Sequence, residues 1–139
     1  MGEIHKLTCR ECGAEEGYST GVGMLYAETS IKLLQGDLAT LKYEVSEAVF
    51  KQVSKLIAGE TGKLGFIQDQ DKFCCEICNT ASHLKQLEVI GLTDGEWIET
   101  LKCVKCDADL KKTGRQLDEF NCKICGKAAL SDERVGLWD

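Results

Sequence analysis

Eight of the nine cysteines in this 139-residue chain form four pairs, each with two residues between its partners. The pairs are Cys9/Cys12, Cys75/Cys78, Cys103/Cys106 and Cys122/Cys125. Two thiolates on one tight turn can both reach a tetrahedral ion at about 2.3 Å, which is the geometry of structural zinc sites. The spacing therefore predicts that these eight cysteines are metal ligands and that the chain binds two Zn²⁺ ions.

The residue that follows each pair supports this prediction. The four residues are Gly13, Asn79, Asp107 and Gly126. Glycine, asparagine and aspartate are the residue types that best tolerate a positive φ angle. A metal-binding turn needs that angle because the chain must curl under the ion so that its backbone N–H groups point at the sulfurs. We call each cysteine pair with its turn a knuckle.

The spacing also suggests which knuckles share an ion. Cys106 and Cys122 are separated by 15 residues, which fits a zinc-site pattern of two cysteine pairs about 15–20 residues apart. This favours an in-order arrangement, with the last two knuckles on one ion and the first two on the other, because elements adjacent in sequence usually neighbour in space. A crossed arrangement, in which Cys75/Cys78 joins Cys103/Cys106, would satisfy two ions as well.

The remaining cysteine and the two histidines are not expected to bind metal. Cys74 has the character of a small buried hydrophobic residue at the end of a strand. His5 and His83 lie near knuckles, but structural zinc sites are almost always closed at four ligands, and the thiolates already supply four. Iron also accepts four thiolates, and a single Cys-x-x-Cys serves thioredoxin-type redox catalysis; four such pairs followed by turn residues favour zinc.

Hydrophobic spacing predicts the elements between the knuckles. The segment 14–73 has no metal ligands in its sequence and is predicted to be helical, with a turn at Gly21–Gly23, a helix near Tyr26–Gln35 and a helix over residues 46–58. Leu41–Val45 also alternates, so the second helix begins near Leu38 or near Val45. Strands are predicted at Phe66–Phe73, Leu84–Ile90 and Trp97–Leu101, a turn at Thr93–Gly95 and a polar hairpin tip at residues 111–115. The terminal Trp138 either docks back on the fold or forms a contact.

Composition and charge narrow the function classes. The chain has no proline, only 6% aromatic residues and a formal charge of −6, a balance that disfavours a generic polyanion binder. Only residues 101–127 are basic, with seven lysines and arginines against four acidic residues. The sequence has no apolar run of transmembrane length and no secretory signal, so a cytoplasmic location is expected.

The segment Cys103–Gly126 resembles a zinc ribbon, with two knuckles and a hairpin between them. The first two knuckles resemble the same ribbon split by an insertion, and the whole chain is similar to small bacterial double-zinc-ribbon proteins of the rubredoxin-like superfamily. The resemblance implies an α+β fold with two zinc ribbons of short antiparallel hairpins and a helical insertion in the first ribbon. The implied domains are residues 1–13 with 74–90, the insertion 14–73, and residues 91–139 as the second ribbon with its tail.

These observations favour a zinc-stabilised protein-interaction module, acting as an adaptor, regulator or inhibitor, over an enzyme. A catalytic zinc keeps an open position on three protein ligands, whereas each site here has four. Nucleic-acid binding through the basic second ribbon is the alternative. The partner surface, or a self-association surface, is expected on the helical segment 24–58, with Tyr43 and Phe50 as contact residues.

Overall fold

The computed structural model describes residues 2–20, 38–62 and 64–138 of the chain. The described elements, in chain order, are β1 (Gly2–Cys9), β2 (Glu15–Thr20), α1 (Leu38–Glu44), α2 (Glu47–Ile57), β3 (Gly65–Cys75), β4 (Thr80–Leu92), β5 (Gly95–Ile98), β6 (Lys111–Lys112), a 3₁₀ turn (Leu117–Glu119) and β7 (Leu130–Trp138). The turn predicted at Gly21–Gly23 and the helix predicted near Tyr26–Gln35 lie outside the described residues.

The strands form two sheets. One has three strands in the order β2-β1-β7, and the other has four strands in the order β5-β4-β3-β6. The strand registers within the described residues are antiparallel, so the predicted α+β class with hairpins agrees with the structure. The chain folds into two compact units. Unit 1 comprises residues 2–20, 70–85 and 100–138, and unit 2 comprises residues 38–62, 64–69 and 86–99.

Unit 1 contains all four knuckles and a small core. The core residues come from β1, β3, β4 and the 3₁₀ turn with the residue that follows it, and they are Leu7, Cys74, Ala81, Leu117 and Phe120. Cys74 is buried at the end of β3, as the sequence predicted. Phe73 and Phe120 are the fully buried aromatic rings in the described part of unit 1, so its apolar core is small.

Unit 2 packs two helices and strand residues around a second core of Leu41, Val53, Phe66, Leu87 and Val89. Helix α2 confirms the prediction over residues 46–58, and Ser46 caps it by accepting a hydrogen bond from the backbone N–H of Val49 at 3.3 Å. Residues Leu38–Glu44 are also helical, but a break at Val45 and Ser46 makes them a separate short helix. None of the helices in the described ranges is both long enough and apolar enough to cross a membrane.

The exposed rings predicted on this helical segment are only partly as expected. Tyr43 is 87% exposed. Phe50 is partly buried and packs against the unit 2 core. A side chain next to the main apolar stripe of a helix can still contact the core that this stripe faces. The prediction of Phe50 as a contact residue is therefore not supported by its position.

Two further predictions concern the strands. The turn at Thr93–Gly95 is confirmed, with Gly95 at a φ of 114°. The polar hairpin tip predicted at residues 111–115 is wrong at its start, because Lys111 and Lys112 form β6 and pair with Cys74 and Phe73 of β3. A sequence predicts a strand where apolar and polar residues alternate, and an edge strand of two exposed lysines has no such alternation.

The last strand closes the three-stranded sheet at the chain ends. β7 pairs with β1 from Cys9↔Leu130 to Gly2↔Trp138, and the indole Nε1 of Trp138 donates a hydrogen bond to the carbonyl oxygen of Thr20 at 3.1 Å. The terminal tryptophan thus docks back on the fold. A Cβ atom at Gly2 would lie 2.2 Å from that carbonyl oxygen and 2.3 Å from the indole nitrogen, so only glycine leaves room for the ring.

We expect Gly2→Ala to displace the Trp138 ring and break its hydrogen bond, at a cost of about 1 kcal/mol in the free energy of unfolding. The indole N–H signal of Trp138 in a ¹⁵N NMR spectrum should shift and exchange faster with water. Gly17→Ala in β2 is the matched control, because the nearest atom to its Cβ, the carbonyl oxygen of His5, is 3.8 Å away. An unchanged indole signal in Gly2→Ala would contradict the close packing.

Candidate metal centres

The eight paired cysteines converge into two groups of four in unit 1. One group is Cys9, Cys12, Cys122 and Cys125, and the other is Cys75, Cys78, Cys103 and Cys106. Within each group all four sulfur atoms lie within 4.8 Å of one another. Among the described residues these are the groups of cysteine, histidine or carboxylate side chains whose ligand atoms meet closely enough to hold a metal ion.

The sulfur spacing matches a tetrahedral metal site. Four sulfurs at about 2.3 Å from a central ion are about 3.8 Å apart along each edge of the tetrahedron. In the first group, the sulfur of Cys9 lies 3.6 Å from that of Cys125 and the sulfur of Cys12 lies 3.7 Å from that of Cys122; each pair joins two knuckles. In the second group the corresponding distances are 3.5 Å for Cys75 to Cys106 and 4.0 Å for Cys78 to Cys103. Each group is therefore sized for an ion with four thiolate ligands.

The predicted in-order sharing of ions is wrong. The first and fourth knuckles form one group, and the second and third form the other, which is the crossed arrangement. The physical reason is the pairing of β1 with β7: Cys9 at the end of β1 lies opposite Leu130 at the start of β7, so the chain ends bring their knuckles together. The ribbons predicted from residues 1–13 with 74–90 and from residues 91–139 depended on the in-order pairing, which does not hold.

The backbone of the knuckles is as the sequence predicted. The residue after each second cysteine has a positive φ: 75° at Gly13, 51° at Asn79, 61° at Asp107 and 76° at Gly126. In the knuckles of Cys9, Cys103 and Cys122, the N–H of that residue donates to the carbonyl oxygen of the first cysteine at 2.9 Å. The repeated turn shows that three different sequences adopt one local conformation because the residue that ends each turn tolerates a positive φ.

Backbone N–H groups in the third and fourth knuckles favour the thiolate form of Cys103 and Cys122. The N–H groups of Cys106 and Lys105 lower the pKa of Cys103 to about 6. The N–H groups of Cys125 and Ile124 lower the pKa of Cys122 to about 6 as well, and the Ile124 nitrogen is 3.4 Å from the Cys122 sulfur. These N–H donors stabilise negative charge on sulfur independently of a bound ion.

The second cysteines of the first two knuckles, Cys12 and Cys78, oppose full ionisation. The thiol of Cys106, followed by burial, raises the pKa of Cys78 to about 12. At Cys12 the backbone N–H of Ala14 lowers the pKa, but burial and the neighbouring thiols outweigh it and raise the value to about 11. Four thiolates at these distances repel one another, so a bound cation is what allows all four to lose their protons together.

The two histidines lie outside both groups. His5 places Nδ1 3.1 Å from Asp132 and Nε2 3.2 Å from Glu3. His83 is half-buried, burial lowers its pKa, and its Nδ1 has no hydrogen-bond partner among the described residues. The ring of Tyr18 stacks on that of His5 at 4.9 Å and tilts against that of His83 at 5.3 Å.

Sequence reasoning missed the polar bridge beside the knuckles. The ammonium of Lys123, inside the fourth knuckle, lies 2.7 Å from the carboxylate of Glu16 on β2 and 2.9 Å from the hydroxyl of Ser82 on β4. The bridge joins the two sheet regions of unit 1 next to the first cysteine group. No sequence signal identifies it, because its three members are far apart in the chain and each is an ordinary surface residue type.

The crossed pairing predicts which cysteine losses are equivalent. Cys12→Ser, Cys125→Ser and the double variant should each lose one zinc ion per chain in native mass spectrometry with a weak chelator present, because all disrupt the same group. Combining Cys12→Ser with Cys78→Ser should lose both ions. Cys74→Ser is the control that should keep both ions. If the first two knuckles shared one ion and the last two the other, the Cys12/Cys125 double variant would lose both ions and the Cys12/Cys78 double variant would lose one.

The positive φ of the knuckle turn predicts a second effect. Gly126→Val should weaken metal binding about fivefold or more, because a β-branched residue at this φ costs about 1–3 kcal/mol. A Cβ at Gly126 would meet no atom within 4 Å, so the effect would come from the backbone alone. The affinity is measured by chelator competition, with exposed Ala128→Val as the control; equal affinities would contradict the strain.

Comparison with protein-family models, with curated proteins and with solved structures finds no match to this chain.

Proposed function

We propose that this protein is a zinc-stabilised protein-interaction module, an adaptor, regulator or inhibitor of a larger protein, with two structural zinc sites of four cysteines each. The observation that carries the proposal is the grouping of eight thiols into two sets with the edge lengths of a tetrahedral site. Cysteine thiolates in this geometry are the usual ligands of structural zinc.

A structural role for the ions follows from the size of the core. Unit 1 buries few large side chains, and small domains of this kind commonly need a metal to fold. Structural zinc contributes about 10–16 kcal/mol of apparent binding free energy in small peptides, which exceeds the usual net stability of a domain. With four thiolates on each ion no coordination position stays open for a substrate, so the sites suit folding better than catalysis.

An interaction role is supported by exposed apolar residues at the knuckle tips. Ile77 is 76% exposed, Val104 96% and Ile124 76%. Each lies between the two cysteines of its knuckle, where the turn holds it outward. A folding role for zinc does not explain bulky apolar residues at these positions, whereas a contact with another protein would cover them.

The nucleic-acid alternative receives less support. Most lysines of the basic segment 101–127 face carboxylates in unit 1: Lys102 with Asp109, Lys111 with Glu76, Lys112 with Asp71, Lys123 with Glu16 and Lys127 with Glu11. Arg115 lies over the ring of Phe120, 4.3 Å from its centroid. A surface whose cations already have acidic neighbours attracts phosphates weakly.

The proposal predicts two zinc ions per chain and a specific protein partner. We expect native mass spectrometry to find two zinc ions, and removal of zinc by a strong chelator to abolish the cooperative melt of unit 1. Affinity purification of the tagged, zinc-loaded chain from a reducing lysate, as suits a cytoplasmic protein, should retain a defined partner that the chelated chain loses. Iron in place of zinc, or identical retention with and without metal, would overturn the proposal.

A further inference from the structure

A shallow groove of about 250 Å³ lies in unit 1 beside the third knuckle. Its floor and walls are apolar and include Phe73, Ala81, Leu84, Val104 and Leu110. Phe73 and Ala81 are buried beneath it, whereas Val104 is 96% exposed at its side. Val104 therefore forms an apolar wall of the groove that no other described residue of the chain covers.

The groove follows one edge of β4. Thr80, Ala81, Ser82 and Leu84 all line it. Thr80 and Ala81 are buried, whereas Ser82 and Leu84 are partly exposed, so the accessible part of this edge begins at Ser82. The registered pairs of β5 with β4 lie at Glu88, Val89 and Leu92. Within the described part of the chain, no strand or bridge pairs with Thr80–Leu84 on the side away from β3. An extended peptide could therefore add to this edge by backbone hydrogen bonds.

Lysines predominate among the charged residues of the groove. Lys102, Lys105 and Lys123 line it together with a single carboxylate, that of Glu16. Lys123 bonds to Glu16 and Lys102 pairs with Asp109, whereas Lys105 is exposed and has no carboxylate within ion-pair distance among the described residues. A binding partner that complements these lysines carries acidic residues, even though this chain has a net negative charge.

We propose that this groove binds an extended segment of a partner protein in which apolar and acidic side chains alternate. The segment lies along β4 at Ser82–Leu84, places its apolar side chains in the groove against Val104, and directs a carboxylate to Lys105. Alternation follows from strand geometry, since successive side chains point to opposite faces. This proposal rests on the proposed function and assigns the partner surface to unit 1 instead of the helical segment 24–58.

The probe is a library of random linear peptides displayed on phage and selected on the zinc-loaded full chain. We expect enriched peptides to alternate apolar and acidic residues, and their synthetic forms to shift the amide NMR signals of Ala81–Leu84. Val104→Asp should weaken binding about tenfold or more, since it removes an apolar contact and adds a repulsive charge. Lys105→Glu should weaken it as well, and the salt dependence of binding should decrease.

Matched control variants test whether peptide binding depends on the groove. Val135→Asp changes an exposed valine on β7 that does not line the groove, and Arg10→Glu reverses an exposed charge in the first knuckle. Both should bind the selected peptides as the unchanged chain does, as should Tyr43→Ser on α1. Zinc content and melting are measured on every variant, so that loss of fold is distinguished from loss of binding.

Three results would overturn the inference. The first is the absence of any enriched peptide, and the second is equal binding of enriched peptides to Val104→Asp. The third is binding of single-stranded poly(dT) that Lys105→Glu abolishes and Val104→Asp leaves intact, which would make the lysines a nucleic-acid surface. In the first two cases a metal-dependent partner in affinity purification would still uphold the proposed function, with its contact elsewhere.

Discussion

The antiparallel pairing of β1 with β7 is the constraint on which the metal centres depend. These strands come from the two ends of the chain, and their register places Cys9 opposite Leu130. Because each strand adjoins a knuckle, the pairing brings the first and fourth knuckles to one place. The knuckle between β3 and β4 is then left to combine with the third. One sheet register thus decides the composition of both cysteine groups.

Within each group, local and long-range effects act on the same sulfurs. The turn conformation supplies backbone N–H donors that favour a thiolate on the first cysteine, as the lowered pKa values of Cys103 and Cys122 show. The meeting of two knuckles places thiols so close that further ionisation is opposed, as at Cys78. A dication resolves this conflict, since it attracts all four sulfurs at once. The fold therefore makes a site in which a bound dication favours the ionisation of all four thiols.

The surroundings of the centres suggest how a metal-supported fold is used. Carboxylates from several elements lie beside the lysines of the basic segment, which reduces its attraction for polyanions. Apolar side chains at the knuckle tips remain exposed. A rigid turn closed by an ion can hold such a side chain outward at no further conformational cost, which is a favourable arrangement for binding a partner. The proposed peptide groove combines this rigidity with an accessible strand edge.

The sequence alone was enough to predict the local features. It identified the eight cysteines, the positive φ of the four residues that follow them, the burial of Cys74 and the helix over residues 46–58. Each depends on residue type and short spacing, because turn conformation and helical periodicity are properties of a few neighbouring residues.

Only the tertiary structure decided which knuckles meet. The four knuckles share the same cysteine spacing and the same kind of turn residue after it, and neither feature distinguishes one partner knuckle from another. Their pairing follows from the β1–β7 register, which joins residues more than 120 positions apart. The bridge from Lys123 to Glu16 and Ser82, the pairing of Lys111 and Lys112 with β3, and the docking of Trp138 against Gly2 depend on similar long-range contacts. Such contacts leave no periodic signal, because their partners are set by the packing of whole strands and not by the spacing of residues along one of them.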